Sequence, residues 1–158
     1  MRKILIASLL VLSACSTSTP AQKQQAKVDR ANRPQIDIMQ TSAVAIAARY
    51  VEGGVSVQYA VRIGNPAAHE IRLRRLTIQS VGDGAYTVEA YSVPFNVAVD
   101  AANKAQVRFW VPAYTGTSLV GANGPVTVRV VGEFDSTRGR IQEVVTRVVN
   151  TRASVNGQ

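Results

Sequence analysis

The sequence predicts an all-β domain: a two-layer antiparallel β-sandwich of seven or eight strands. Three observations carry that reading. From residue 36 onward apolar side chains recur with period two, the spacing of half-buried strands. Clusters of Gly, Asn, Asp and Pro interrupt these runs at roughly the 8–12-residue spacing of sandwiches. No run of helical period follows the N-terminal segment. With 46% hydrophobic residues in a chain of 158, there is material for one core of ordinary size.

The elements follow in order. Over residues 36–50, Ile36, Ile38, Val44, Ile46, Ala48 and Tyr50 share one parity. Glu52, Gly53 and Gly54 make a turn. The cleanest alternation comes next: Val55, Val57, Tyr59, Val61 and Ile63 against Ser56, Gln58, Ala60 and Arg62. That is a strand with one wet face. Gly64, Asn65 and Pro66 end it, because Gly and Asn tolerate turn geometry and Pro blocks the ladder.

Residues 70–81 change phase within one run. Ile71 and Leu73 share one parity, Leu76 and Ile78 the other. Both pairs reach one core only if an extra residue is absorbed near Arg74 and Arg75, which predicts a β-bulge. After the turn at Gly82, Asp83 and Gly84, the residues Tyr86 and Val88 open a further run. It continues through Tyr91, Val93, Phe95, Val97 and Val99 with another phase change. Pro94 marks an edge strand or a bend.

Residues 105–111 alternate Val107, Phe109 and Val111 with Gln106, Arg108 and Trp110, and Pro112 is expected to end them. The longest loop, residues 113–125, carries Tyr114. Val126, Val128, Val130 and Phe134 mark the next strand, residues 135–139 a hairpin turn, and residues 141–149 the last strand. Successive strands at both ends of the chain are expected to pair. The architecture implied is of the immunoglobulin or fibronectin type III kind. The sandwich is expected over residues 36–150, with a frayed tail at 151–158.

The N-terminus reads as an address. Arg2 and Lys3 precede the apolar run from Ile4 to Leu12, and Leu12, Ser13, Ala14 and Cys15 follow the order of a cut site. The apolar run is less than half of the roughly 20 residues that span a bilayer, so residues 1–14 read as a cleaved signal. This stretch closely resembles the lipobox of bacterial lipoproteins. The resemblance implies a diacylglyceryl thioether on Cys15, cleavage before it and acylation of the new amino group. Two or more acyl chains hold stably in a membrane, whereas one does not. Ser16 is not the Asp that retains enterobacterial lipoproteins at the inner membrane, so the family pattern implies the periplasmic leaflet of the outer membrane. Residues 15–35, rich in Ser, Thr, Gln, Ala and Lys, read as a flexible tether.

Charge and composition narrow the function. The chain has 18 basic and 10 acidic side chains; losing Arg2 and Lys3 leaves 16 against 10, or +6. A basic protein at a membrane suits an envelope protein or an anionic envelope polymer as partner, and the compartment argues against nucleic acid. Cys15 is the only cysteine and His69 the only histidine, so intrachain disulfides, cysteine-rich metal sites and two-histidine sites are excluded. No Gly-x-Ser-x-Gly elbow and no phosphate-binding Gly loop occurs, and no cofactor is implied. His69 reads as a solvated turn residue. Glu133 and Asp135 flank Phe134 on one face near a turn, where turn chemistry is commoner than catalysis. Neither they nor Asp83 gather enough oxygen ligands for a cation loop. The reading is therefore non-enzymatic.

The strand Val57–Ile63, its break at Gly64, Asn65 and Pro66, and the following Ile71, Leu73 and Leu76 resemble the early part of water-stress (WHy, LEA14-like) domains. That resemblance implies a fibronectin-like sandwich with a role in stress or desiccation tolerance and no catalytic residues. It covers about a third of the chain after the signal, which departs from the family in its arginine content and its lipobox.

The residues singled out for binding are arginines out of phase with the core. Arg62, Arg72, Arg74, Arg108 and Arg129, with Trp110, are expected to point outward. If their strands share a sheet, they form one basic face around Trp110. Arg and Trp are both enriched at interface hot spots.

Overall fold

The structure is a computed structural model that describes residues 24, 30–45, 54–115 and 124–150. Alternating side chains build seven strands: β1 (Gln35–Ala45), β2 (Gly54–Gly64), β3 (Ile71–Ser80), β4 (Tyr91–Val99), β5 (Lys104–Tyr114), β6 (Val126–Ser136) and β7 (Gly139–Val149). All pair antiparallel, in a three-stranded sheet β1-β2-β5 and a four-stranded sheet β4-β3-β6-β7. The fourth strand joins the second sheet, as in fibronectin type III modules, whereas constant immunoglobulin domains place four strands in the first. β1-β2 and β6-β7 pair as sequence neighbours. Cys15 and most of the expected tether, the end of the first expected strand, most of the long loop and the tail lie outside the described residues. Gln24, Arg30 and Ala31 within the expected tether are helical.

The two inner faces meet as the periodicity requires. Val55, Val57, Tyr59, Val61 and Ile63 of β2 are all at most 1% exposed, so the central strand of its sheet is fully committed to the core. Each such side chain contributes on the order of 1.5–3 kcal/mol. Ile71, Leu73, Leu76 and Ile78 of β3 are also all at most 1% exposed. Both pairs face inward because the register shifts between Leu73 and Arg75, opposite both β4 and β6. This is the predicted bulge, and it absorbs Arg74. β4, with Pro94, is an edge strand, also as expected.

A second bulge was not foreseen. The β1–β2 register shifts between Gln40 and Ser42. Thr41 is the extra residue, and its hydroxyl donates to the Gln58 carbonyl (3.2 Å) and to Gln58 Oε1 (2.8 Å). The shift turns Val44 outward, 53% exposed, rather than onto the face of Ile36 and Ile38. Pro112 does not end β5, which runs on to Tyr114; Tyr114 is therefore a strand residue, not a loop residue. An edge strand has one unpaired side, and that is where proline is tolerated. Tyr86 and Val88 also depart from expectation. They lie in a crossing segment that pairs at Thr87 with Tyr114 of β5 (2.7 and 2.9 Å) and at Val88 with Ser80 of β3 (3.0 Å). This segment ties the two sheets together at one end.

Close approach explains one glycine in mid-strand. A Cβ on Gly132 would lie 2.6 Å from Ile36 Cδ1 on the facing sheet and 2.8 Å from the Phe134 ring. The β6–β7 turn needs another. Gly139 has φ 114°, a region L side chains rarely adopt, and the Ser136 hydroxyl donates to its carbonyl at 2.9 Å.

The core contains one polar chain. Tyr59 donates to the Tyr86 hydroxyl (2.7 Å), which donates to Gln40 Oε1 (2.9 Å). Burial raises both tyrosine pKa values, Tyr86 to about 12, even though its bond from Tyr59 acts in the opposite sense. A tyrosine in the unfolded chain ionises near 10. The unfolded state therefore binds fewer protons above that pH, and stability falls as pH rises from about 10 to about 12. Thermal melting across this window should show the fall, and Tyr86→Phe should make it shallower; an unchanged slope in the variant contradicts the assignment.

Candidate interaction face

The outer face of the three-stranded sheet is set by register. Even-numbered residues of β5 point outward: Lys104, Gln106, Arg108, Trp110, Pro112 and Tyr114. Across the sheet, Asp37 and Arg62 align with Gln106, Met39 and Ala60 with Arg108, Ser42 and Gln58 with Trp110, and Val44 and Ser56 with Pro112. One end is thus cationic and the other apolar and aromatic. Lys104 and Trp110 are six residues apart, about 20 Å along an extended strand. Ala60 is only 1% exposed although it faces outward between Tyr59 and Val61, so taller neighbours cover it. Trp110 is 44% exposed and Tyr114 48%.

The predicted set of six divides equally. Arg62, Arg108 and Trp110 come together on this face. Arg72 and Arg74 of β3 and Arg129 of β6 lie on the outer face of the other sheet, so the six do not form one face. Two of those three are engaged. Arg72 donates to Glu70 (3.1 Å) and Asn96 (3.2 Å), and Arg74 to Asp135 (2.7 Å) and Asn96 (3.1 Å). The ion pairs among the described residues join Arg33 to Glu143, Arg72 to Glu70, and both Arg74 and Arg140 to Asp135. None involves Arg62, Lys104 or Arg108. Arg62 reaches only the neutral Gln106 Oε1, at 3.4 Å. Solvent-exposed pairs contribute little to stability, at most about 1 kcal/mol, but they do fix where arginines point.

Sequence reasoning missed Lys104 and Tyr114. Their parity matches Arg108 and Trp110, but the expectation that the strand stops at Pro112 left Tyr114 off the face. It also missed Arg75 and Arg140, which join Arg74, Glu133 and Asp135 around a groove of about 620 Å³ on the four-stranded sheet. There Asp135 is held between two arginines, which is a structural role for it. A second groove, about 430 Å³, adjoins the aromatic end of the three-stranded sheet, where Tyr91, Pro112 and Tyr114 line it with Thr87 and Glu89. Among the described residues, no three His, Cys, Asp or Glu side chains lie together as a metal set.

His69 belongs to the corner after β2, which is organised by Asn65. That side chain is 2% exposed. Its Nδ2 donates to the carbonyls of His69 (2.8 Å), Val99 (2.9 Å) and Asp100 (3.0 Å), and its Oδ1 accepts from Ala67 N (3.1 Å). The part of His69 engaged at this corner is its backbone carbonyl.

The sequence matches no family profile and no characterised protein. In three dimensions the chain is similar to the structural-genomics target SoR45, with 8% identity, a TM-score of 0.50, and coverage of 83% of this chain and 95% of that one. It is also similar to a protein from Archaeoglobus fulgidus, with 12% identity, a TM-score of 0.46 and coverage of 75% and 96%. At such identities the first likeness speaks to the fold alone. The chain is an immunoglobulin-like β-sandwich.

Proposed function

We propose that this protein is a lipid-anchored, non-enzymatic interaction module of the bacterial cell envelope, held through Cys15 at the periplasmic face of the outer membrane. It docks through the outer face of the three-stranded sheet. One observation carries the choice of face. Arg62, Lys104 and Arg108 lie beside Trp110 and Tyr114 with no acidic partner within ion-pair distance among the described residues, while on the other sheet Arg72, Arg74 and Arg140 are tied to their own carboxylates and Arg75 and Arg129, which make no ion pair among those residues, have no tryptophan beside them. Cations free of ion pairs and large exposed aromatics are what a docking surface contributes. The lipobox supports the address. Asn65, one residue of the stretch that resembles water-stress domains, has a structural role in the hydrogen bonds of its corner.

The test is capture from solubilised membranes with the acylated protein as bait. Arg108→Ala with Trp110→Ala should lose the captured components, and Arg74→Ala with Arg129→Ala should keep them. The reverse pattern, in which only Arg74→Ala with Arg129→Ala loses them, contradicts the reading.

A further inference from the structure

We infer that the outer face of the three-stranded sheet seats on an anionic lipid surface, with its arginines and lysine on headgroup phosphates and its aromatic end at the level of the headgroups. This rests on the docking reading above and names the partner. Four features of the face point the same way.

The first is the order of side chains along it. Lys104, Arg62 and Arg108 occupy one end, where three cations outnumber the carboxylate of Asp37 in register with Arg62, and Trp110, Pro112, Tyr114 and Val44 the other. Trp and Tyr have an apolar body and a polar edge, and they concentrate where hydrocarbon meets water. Basic side chains beside them are drawn to the negative potential of anionic lipids. The second is the chemistry of the cations. Two of the three are arginines, whose planar fork binds phosphate through two parallel hydrogen bonds.

The third is shape. Hot-spot anchors between proteins fill pockets. Of the two grooves described above, one lies on the opposite sheet and the other at the aromatic end of this face, where Pro112 and Tyr114 line it; neither is lined by Arg62, Lys104, Arg108 or Trp110. The face itself carries side chains that stand out into solvent, Val44 at 53% among them. The fourth is the position of the chain's entry. Gln35 begins β1 in register with Gly64 and Lys104, at the cationic end. Nineteen residues separate it from Cys15. At up to about 3.3–3.6 Å per residue, they are long enough for the face to reach the bilayer that would hold Cys15.

Trp110 is the only tryptophan in the chain, so its fluorescence reports on this face alone. The experiment uses the full chain with Cys15→Ala, which removes the covalent lipid. It is titrated with vesicles of equal parts phosphatidylglycerol and phosphatidylcholine, and separately with phosphatidylcholine alone. Emission should shift to the blue with the anionic vesicles and stay in place with the neutral ones, and high salt should reverse the shift. Arg62→Ser, Lys104→Ser and Arg108→Ser combined should weaken binding roughly a hundredfold, a factor of about five for each basic side chain. Arg75→Ser, Arg129→Ser and Arg140→Ser combined, on the other sheet, should leave binding unchanged; circular dichroism checks that both variants fold. Equal loss in the two variants would mean that net charge alone drives binding, and it would overturn the inference. So would an unshifted Trp110 on anionic vesicles. If the capture experiment still loses components with Arg108→Ala and Trp110→Ala while vesicles leave Trp110 unshifted, the partner is a protein: the lipid assignment is wrong and the docking face stands.

Discussion

Val61→Asp should abolish the cooperative fold. Val61 is 0% exposed in the middle of β2, in register with Ile38 on one side and Val107 on the other. A carboxylate there faces only apolar side chains. An isolated ionised carboxylate costs tens of kcal/mol in an idealised apolar medium, and in practice the group protonates or the chain opens. Either outcome removes several kcal/mol from a domain whose total stability is on the order of 5–15 kcal/mol. Far-ultraviolet circular dichroism during urea titration should show no transition at neutral pH. Val61→Ala loses only two methyl groups, about 2 kcal/mol with the cavity, and should still unfold cooperatively. A wild-type midpoint for Val61→Asp would mean that the wrong face of β2 has been placed inside.

Asn65→Asp should be the second most damaging change. The two Nδ2 hydrogens serve three carbonyls, so at least one bond is shared, and only Oδ1 accepts. Aspartate keeps the shape and the acceptor but replaces every donation with an oxygen facing an oxygen. The loss should be on the order of 3–5 kcal/mol at neutral pH, from several unsatisfied buried groups and one unpaired charge. The corner joins β2 to β3 across the sandwich and also holds the end of β4, so the damage is not local. Acidification should restore part of the loss, because a protonated carboxyl regains one donor. Urea midpoints at neutral and mildly acidic pH measure both effects. A variant as stable as the wild type would show that these bonds contribute nothing net.

Most of the sandwich was legible because its inner faces follow one local rule. β2 and the inner face of β6 obey alternation without exception. The bulge at Arg74 could be placed because both flanking pairs are apolar and the phase conflict is explicit. The bulge at Thr41 could not. Gln40 keeps the inward parity of Ile36 and Ile38 although it is polar, because Tyr86 donates to it, and the bulge after it turns the apolar Val44 outward, so the residues on both sides misreport their faces. Pro112 was misread for a different reason. Whether a proline stops a strand depends on whether the strand is an edge, and strand order is a property of the fold rather than of the residues nearby. The same ignorance merged two opposite faces into one predicted arginine patch. Parity says only that a side chain leaves the core, and the pairing of β2 with β5 and of β3 with β6 decides in which direction.

Hydroxyl-radical footprinting of the native protein, in the membrane fraction that the proposed anchor predicts and after detergent purification, tests the docking face most directly. The reactive side chains Met39, Trp110 and Tyr114 all belong to it. The account predicts that their oxidation falls severalfold in the membrane, while labelling of Val144 and Val148 on the outer face of β7 does not change. Protection of β7 instead, or equal labelling of both faces in the two states, would contradict it.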